Sequence, residues 1–258
     1  MAVEIALTPD RHWPESAVEL APAAAAAGFS GLGIAAEDVD ADAVNAYAAA
    51  RLRCHELLAL VVTDDVAATA AAAQRMAERA EAIGATWVLT VFTAALTSHV
   101  AAGVQRCAEA FADAGTGMAV EFSPLGPVPS IAAGLEVVRA ARRGGRAGLV
   151  IDSWHVCHAP GGCEDLARLS PDDVAYVQFT DALAPESERP MRETLHRRAL
   201  PGQGVLDLDR FAATLLERGW DGTVSVEVLS ADLRALPVDV LVERLYRSAA
   251  RYWTGPPS

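Results

Sequence analysis

Hydrophobic and polar positions along this chain follow two alternating periods. Apolar runs of strand length recur, and after each one apolar residues fall three and four positions apart, as on one face of a helix. The runs predict strands at residues 3–7, 29–35, 55–62, 87–92, 118–122, 148–151, 174–179 and 224–228. The helical stretches between them are 15–27, 42–53, 66–83, 97–114, 130–143, 163–169, 209–219 and 238–252. Several end at a glycine, the usual C-terminal stop.

Strict alternation of strands and helices predicts parallel strands joined by right-handed crossovers. About eight such units in 258 residues match a (β/α)8 TIM barrel, and we expect one α/β barrel domain over residues 1–258. A doubly wound open sheet is the alternative. It usually has a glycine-rich turn after its first strand, whereas this chain has Thr8-Pro9-Asp10 there.

Composition narrows the classes of function. The net charge is -13, and all 21 basic residues are arginines, which argues against nucleic-acid and membrane partners. Without lysine there is no Schiff-base or P-loop chemistry. No stretch is long and apolar enough to span a membrane, and the 4 cysteines form no C-x-x-C pair. We therefore expect a cytoplasmic protein with reduced thiols.

Polar residues stand at the carboxyl ends of four consecutive predicted strands. In a barrel these ends meet at one mouth, where TIM-barrel enzymes place their chemistry. Burying such groups unpaired is costly, and neighbouring carboxylates repel, so a divalent cation is the simplest remedy. An oxygen-rich set suits Mg, Mn or Co. An arginine partner inside the barrel is the alternative for any single acid. The residues are Glu121, Asp152 with His155, Gln178 and Glu227.

Three further residues are weaker candidates. His55 lies at the start of the third strand, where a histidine is a substrate contact or a structural residue. Arg197 and Arg198 end an arginine-bearing loop before Pro201, and a guanidinium there could clamp a hydroxyl, carboxylate or phosphate. The sequence does not decide between the two arginines.

These motifs resemble the xylose isomerase-like TIM-barrel superfamily, which includes sugar phosphate isomerase/epimerase-like proteins, ketose 3-epimerases and 3-dehydroshikimate dehydratases. The resemblance spans nearly the whole chain and is clearest over residues 117–230. It implies that Glu121, Asp152, Gln178 and Glu227 hold the metal and that His155 contacts substrate or carries a proton. The motifs that carry it are V-Q-F-T-D-A around Gln178, P-G-Q-G at 201–204 and S-V-E-V around Glu227.

The resemblance implies a divalent-metal-dependent isomerase or epimerase of a small polyhydroxylated carbonyl compound, with Glu121 and Glu227 relaying a proton across the substrate. Epimerases of this group usually have histidine where Gln178 stands. The alternative is a metal-dependent dehydratase of 3-dehydroshikimate or an inosose, in which His155 or His55 takes the proton.

Two other classes fit less well. A phosphodiesterase resembling endonuclease IV needs many histidines, and the chain has 6. A non-catalytic binding barrel would not need an intact ligand set. The scaffold also makes a homo-oligomer possible.

Overall fold

The computed structural model describes residues 3–254 and contains ten strands. Their bounds are β1 (Glu4–Leu7), β2 (Gly31–Ala35), β3 (Arg53–Val62), β4 (Trp87–Phe92), β5 (Gly117–Glu121), β6 (Ala147–Asp152), β7 (Val174–Phe179), β8 (Asp181–Ala182), β9 (Arg198–Ala199) and β10 (Thr223–Val226). Eight of them close a parallel barrel in the order β1-β10-β7-β6-β5-β4-β3-β2, and β8 pairs with β9 outside it. The predicted (β/α)8 barrel is confirmed.

Helices surround the barrel and follow its strands. They are α1 (Ala17–Ala27), α2 (Ala41–Ala50), α3 (Val66–Ile83), α4 (Ser98–Asp113), α5 (Ile131–Ala141), α6 (Ser153–His158), α7 (Gly162–Leu166), α8 (Pro190–His196), α9 (Leu208–Glu217) and α10 (Val238–Trp253). Within residues 3–254, none combines the length and apolar character needed to cross a membrane.

Two segments differ from the sequence prediction, and both lie at the mouth. Residues 153–158 form α6 directly after β6, because the Asp152 side chain accepts a hydrogen bond from the His155 backbone N–H at 3.0 Å and caps the helix. The predicted arginine-bearing loop contains α8 and the β8–β9 pair. His155 therefore lies on a capped helix and Arg198 on a short strand.

The side chains inside the barrel show which residues at the strand ends face inward. Leu58, Leu89, Ala119, Val150 and Tyr176 belong to one buried cluster, separate from the larger core between strands and helices. Alternate residues of a strand share a face. The residues two positions beyond Ala119, Val150 and Tyr176 therefore face inward as well, and these are Glu121, Asp152 and Gln178.

Candidate metal centre

Four strand ends bring the predicted ligands to one region of the mouth. Glu121 ends β5, Asp152 ends β6 and pairs in register with Gln178 of β7, and Glu227 follows β10. Glu121, Asp152 and His155 each offer a ligand atom within 4.8 Å of the others. The mouth therefore holds a group of side chains able to surround one cation.

Gln178 has no protein partner for its amide. The residue is fully buried, and neither its oxygen nor its nitrogen finds a hydrogen bond within residues 3–254. A buried polar group without a partner costs about 1–3 kcal/mol. A cation bound through the amide oxygen would remove part of that cost, so this orphaned group fits a metal site.

Asp152 is held by an arginine and by the start of α6. Nη1 of Arg198 donates to both carboxylate oxygens of Asp152, each at 3.1 Å, and the two side chains are almost fully buried. Burial opposes ionisation, but the Arg198 guanidinium and the bond from His155 outweigh it and lower the pKa of Asp152. A carboxylate has about four lone-pair positions, so Asp152 can also bind a cation.

Glu121 and Glu227 complete the acidic set and keep part of their surface exposed. Burial and then the charge of Asp152 raise the pKa of Glu121 to about 8. Burial and then the charge of Glu121 raise the pKa of Glu227 well above its ordinary value. Both acids therefore tend to hold a proton when no cation is bound, as expected of carboxyl groups assembled around a metal site.

The hydrogen bond of His155 fixes which of its ring nitrogens carries the proton. Its Nδ1 lies 2.7 Å from the Phe122 carbonyl oxygen and 3.6 Å from Oε1 of Glu121. Because a carbonyl oxygen only accepts, Nδ1 carries the proton, and in the neutral ring Nε2 keeps its lone pair. Burial lowers the pKa of His155, although Asp152 opposes that effect. The neutral imidazole therefore predominates at neutral pH.

The two candidate arginines face different surroundings. Arg198 lies 5.1 Å over the Trp154 ring and donates to the backbone oxygen and hydroxyl of Thr194. Arg197 instead pairs with Glu186 and Glu193, each at 2.9 Å, in a network with solvent on one side. The structure thus brings Arg198 to the ligand Asp152 and leaves Arg197 outside the group.

His55 is not at the mouth. It lies near the start of β3 and is only 3% exposed. Its Nε2 is 3.1 Å from the Ser225 hydroxyl and 3.3 Å from the Leu7 carbonyl oxygen. His55 is thus enclosed inside the barrel beside Ser225, one layer below the strand ends, and its role as a substrate contact stays a prediction.

Glu56, an acid of the third strand to which the sequence assigns no role, also lies inside the barrel. The residue is fully buried in β3 and accepts hydrogen bonds from the hydroxyl groups of Thr8 and Tyr176. In the sequence, Glu56 shows the same pattern as Glu121, which is an acidic residue within an apolar strand. A register shift between Leu57 and Leu60 hides from the sequence pattern which residues of β3 face inward.

A cavity of about 260 Å³ lies over the part of the mouth formed by β1, β2 and β3. Gly33 and Leu58 line it from the strands, and Asp10 and Trp13 line it from the loop after β1. In the barrel order β2 and β3 stand across from β7 and β6. The cavity therefore lies across the barrel from Asp152 and Gln178, and neither of these residues lines it.

The family model of the xylose isomerase-like TIM barrel matches residues 21–253. A 3-dehydroshikimate dehydratase of Pseudomonas aeruginosa is 35% identical over 106 residues, which are 38% of this chain and 16% of that protein. The chain thus spans about a sixth of that relative's length.

Two solved structures share the fold across nearly their whole length. The IOLI protein, solved with a bound zinc atom, has a TM-score of 0.77 at 18% identity and covers 97% of this chain and 98% of its own. A D-allulose 3-epimerase from Methylomonas sp. has a TM-score of 0.75 at 18% identity, with the same coverages of 97% and 98%. The family match and the barrel agree: this chain belongs to the xylose isomerase-like TIM barrel family.

Proposed function

We propose that this protein is a metal-dependent lyase that removes water from a small cyclic hydroxyketone of the 3-dehydroshikimate type. The observation that carries the proposal is His155, a neutral buried imidazole 3.6 Å from a carboxylate of the acidic group. The similarity to a 3-dehydroshikimate dehydratase supports it. So does Gln178, which stands where the resembling epimerases usually have histidine.

Three carboxylates and one amide would hold the metal. Glu121, Asp152 and Glu227 supply charged oxygens and Gln178 a neutral one, a donor set suited to Mn, Mg or Co. A divalent ion held there polarises a carbonyl oxygen as a Lewis acid. Arg198 keeps Asp152 ionised and oriented, because it donates to both of its oxygens.

His155 would move the proton. Nε2 takes a proton from the carbon next to the substrate carbonyl, while Nδ1 stays hydrogen-bonded to the Phe122 oxygen. The electron pair left behind forms the new double bond as hydroxide leaves the neighbouring carbon. The proton on Nε2 then passes to the departing hydroxide, so one molecule of water is released. Loss of water from 3-dehydroshikimate yields an aromatic dihydroxybenzoate.

Sugar epimerisation is the second candidate. It is favoured by Glu121 and Glu227, two partly exposed acids with raised pKa values that could take and return a proton on opposite faces of a substrate. The epimerase fold neighbour is consistent with it.

A paired assay separates the two candidates. The protein, loaded in turn with Mn²⁺, Co²⁺ and Mg²⁺, is mixed with 3-dehydroshikimate and followed by ultraviolet absorbance, and separately with D-allulose and followed by chromatography. We expect a new aromatic absorbance that His155→Gln abolishes, and unchanged D-allulose. Conversion of D-allulose to its 3-epimer without aromatic product would replace the lyase by the epimerase.

A further inference from the structure

A layer of polar side chains lies inside the barrel directly below the proposed ligands. Tyr176 precedes Gln178 by two residues on β7, and Ser225 precedes Glu227 by two at the end of β10, so each pair shares a face. The Thr8 hydroxyl lies 2.6 Å from that of Ser225. The layer therefore connects to two of the ligand-bearing strands.

Glu56 stands at the centre of this layer. One of its oxygens accepts a hydrogen bond from Thr8 and the other from Tyr176, the pattern of an ionised carboxylate. Glu56 approaches β2 closely. A β-carbon at position 33 would lie 2.8 Å from Oε1 of Glu56, so glycine is needed there.

The negative charge of Glu56 has little local compensation. Within residues 3–254 its ion-pair partner is His55, at 3.4 Å, and burial lowers the pKa of that ring, so the neutral form predominates. Arg198 forms its ion pair with Asp152. Tyr176, which donates to Glu56, lies two residues before Gln178 on the same face of β7, so this charge lies one layer below the ligands.

We propose that Glu56 is a positioning residue of the metal centre, a fixed negative charge below the ligands that strengthens the binding of a divalent cation. This rests on the proposed metal-dependent function. Hydrogen bonds from Thr8 and Tyr176 hold the carboxylate in place, and Tyr176 links it to the strand that carries Gln178. Groups behind the ligands commonly change metal affinity by 10–100-fold when replaced.

The test is a calorimetric titration of the full chain with Mn²⁺. Glu56→Gln keeps the shape and removes the charge, and we expect about tenfold weaker binding. Glu56→Asp keeps the charge and should bind within about threefold of the wild type. Thr90→Val, which removes another buried hydroxyl of the barrel, is the matched control and should leave Mn²⁺ affinity unchanged.

Thermal unfolding of the metal-free protein distinguishes this role from a merely structural one, because the two predict different shifts of the melting temperature. Removing one of several neighbouring negative charges relieves repulsion, so metal-free Glu56→Gln should melt at the wild-type temperature or above it. A structural residue would instead lower the melting temperature when replaced. Weaker Mn²⁺ binding without loss of metal-free stability therefore supports the proposal.

The titration separates failure of the proposed function from failure of the role of Glu56. A wild-type protein that does not bind Mn²⁺ overturns the proposed function, and this proposal with it. A wild-type protein that binds Mn²⁺ while Glu56→Gln binds equally well overturns only the role of Glu56. If Glu56→Gln does not fold, Tyr176→Phe replaces it in the test. It should bind Mn²⁺ more weakly than the wild type, and unchanged affinity there overturns the proposal.

Discussion

At the residue scale, two neighbouring arginines have different environments and different energetics. Arg198 is 2% exposed and donates to Asp152 and Thr194. The Arg197 side chain is 18% exposed and pairs both with Glu186, which is largely exposed, and with Glu193, which is buried. A buried charge that loses its partner is strongly destabilising, while an exposed ion pair contributes little.

The first prediction compares these arginines. Arg198→Met leaves the buried Asp152 without its guanidinium and should lower the free energy of unfolding by about 3 kcal/mol. The matched change Arg197→Met should cost less, because Glu193 keeps its hydrogen bond from Ser187 and Glu186 is already in contact with solvent. Urea unfolding of the metal-free proteins measures both. Equal losses would contradict the assignment of Arg198 to the interior.

The second prediction separates the metal ligand from the base. Asp152→Asn should abolish measurable Mn²⁺ binding because it removes a charged ligand oxygen, yet the amide oxygen can still cap α6. His155→Gln should keep Mn²⁺ affinity and lower turnover of the dehydration substrate about 10²–10⁴-fold. Calorimetry and steady-state kinetics measure the two effects. Equal loss of metal in both variants would show that His155 is itself a ligand.

At the element scale, helix α8 is attached to the mouth by polar side chains. Arg234 donates from Nε to Asp10 at 2.7 Å and from Nη2 to the backbone oxygen of Leu195 at 2.9 Å. The helix is 7 residues long, about two turns, and exposes Met191 and Leu195. Its stability therefore depends on these contacts more than on apolar burial.

The third prediction concerns this attachment. Arg234→Ala should increase amide hydrogen exchange across residues 190–196, because the bond that joins the helix to Asp10 is lost. Exchange in α3, on the outside of the barrel, should not change. Arg11→Ala removes an exposed ion pair with Glu37 and serves as the control. If the control raised exchange in α8 as much as Arg234→Ala does, Arg234 would not be the attachment.

At the scale of the whole molecule, assembling the acidic group opposes folding when no metal is bound. The pKa of Glu121 is raised to about 8, so between its ordinary range and about pH 8 the folded protein keeps a proton that the unfolded chain has released. The unfolded chain binds fewer protons there, and the free energy of unfolding falls as pH rises. Glu227 acts in the same direction. A bound cation displaces these protons and reverses the trend.

The fourth prediction follows from that linkage. Metal-free protein should melt at a lower temperature at about pH 8 than at about pH 6, and the rise in melting temperature on adding Mn²⁺ should be larger at the higher pH. Thermal unfolding with Mn²⁺ or with a chelator measures both. In Glu121→Gln the pH dependence of the metal-free protein should shrink. A metal effect independent of pH would contradict a proton-holding acidic site.

The sequence pattern is sufficient to predict the barrel and the four polar residues at its strand ends. The bounds of α3, β4 and β7 agree with their predictions, because long helical periodicity and apolar runs are local signals. Glu121, Asp152, Gln178 and Glu227 stood out because polar groups at the ends of apolar strands have no packing reason to be there.

The surroundings of those groups follow from the tertiary structure and not from local sequence patterns. Strand pairing brings Glu56 to Thr8 and Tyr176, which lie 48 and 120 residues away in the chain, and no local pattern encodes such distances. The choice of Arg198 over Arg197 depends on which way the side chains point once the barrel closes. Packing between distant strands sets those directions, and the period of the sequence alone does not encode them.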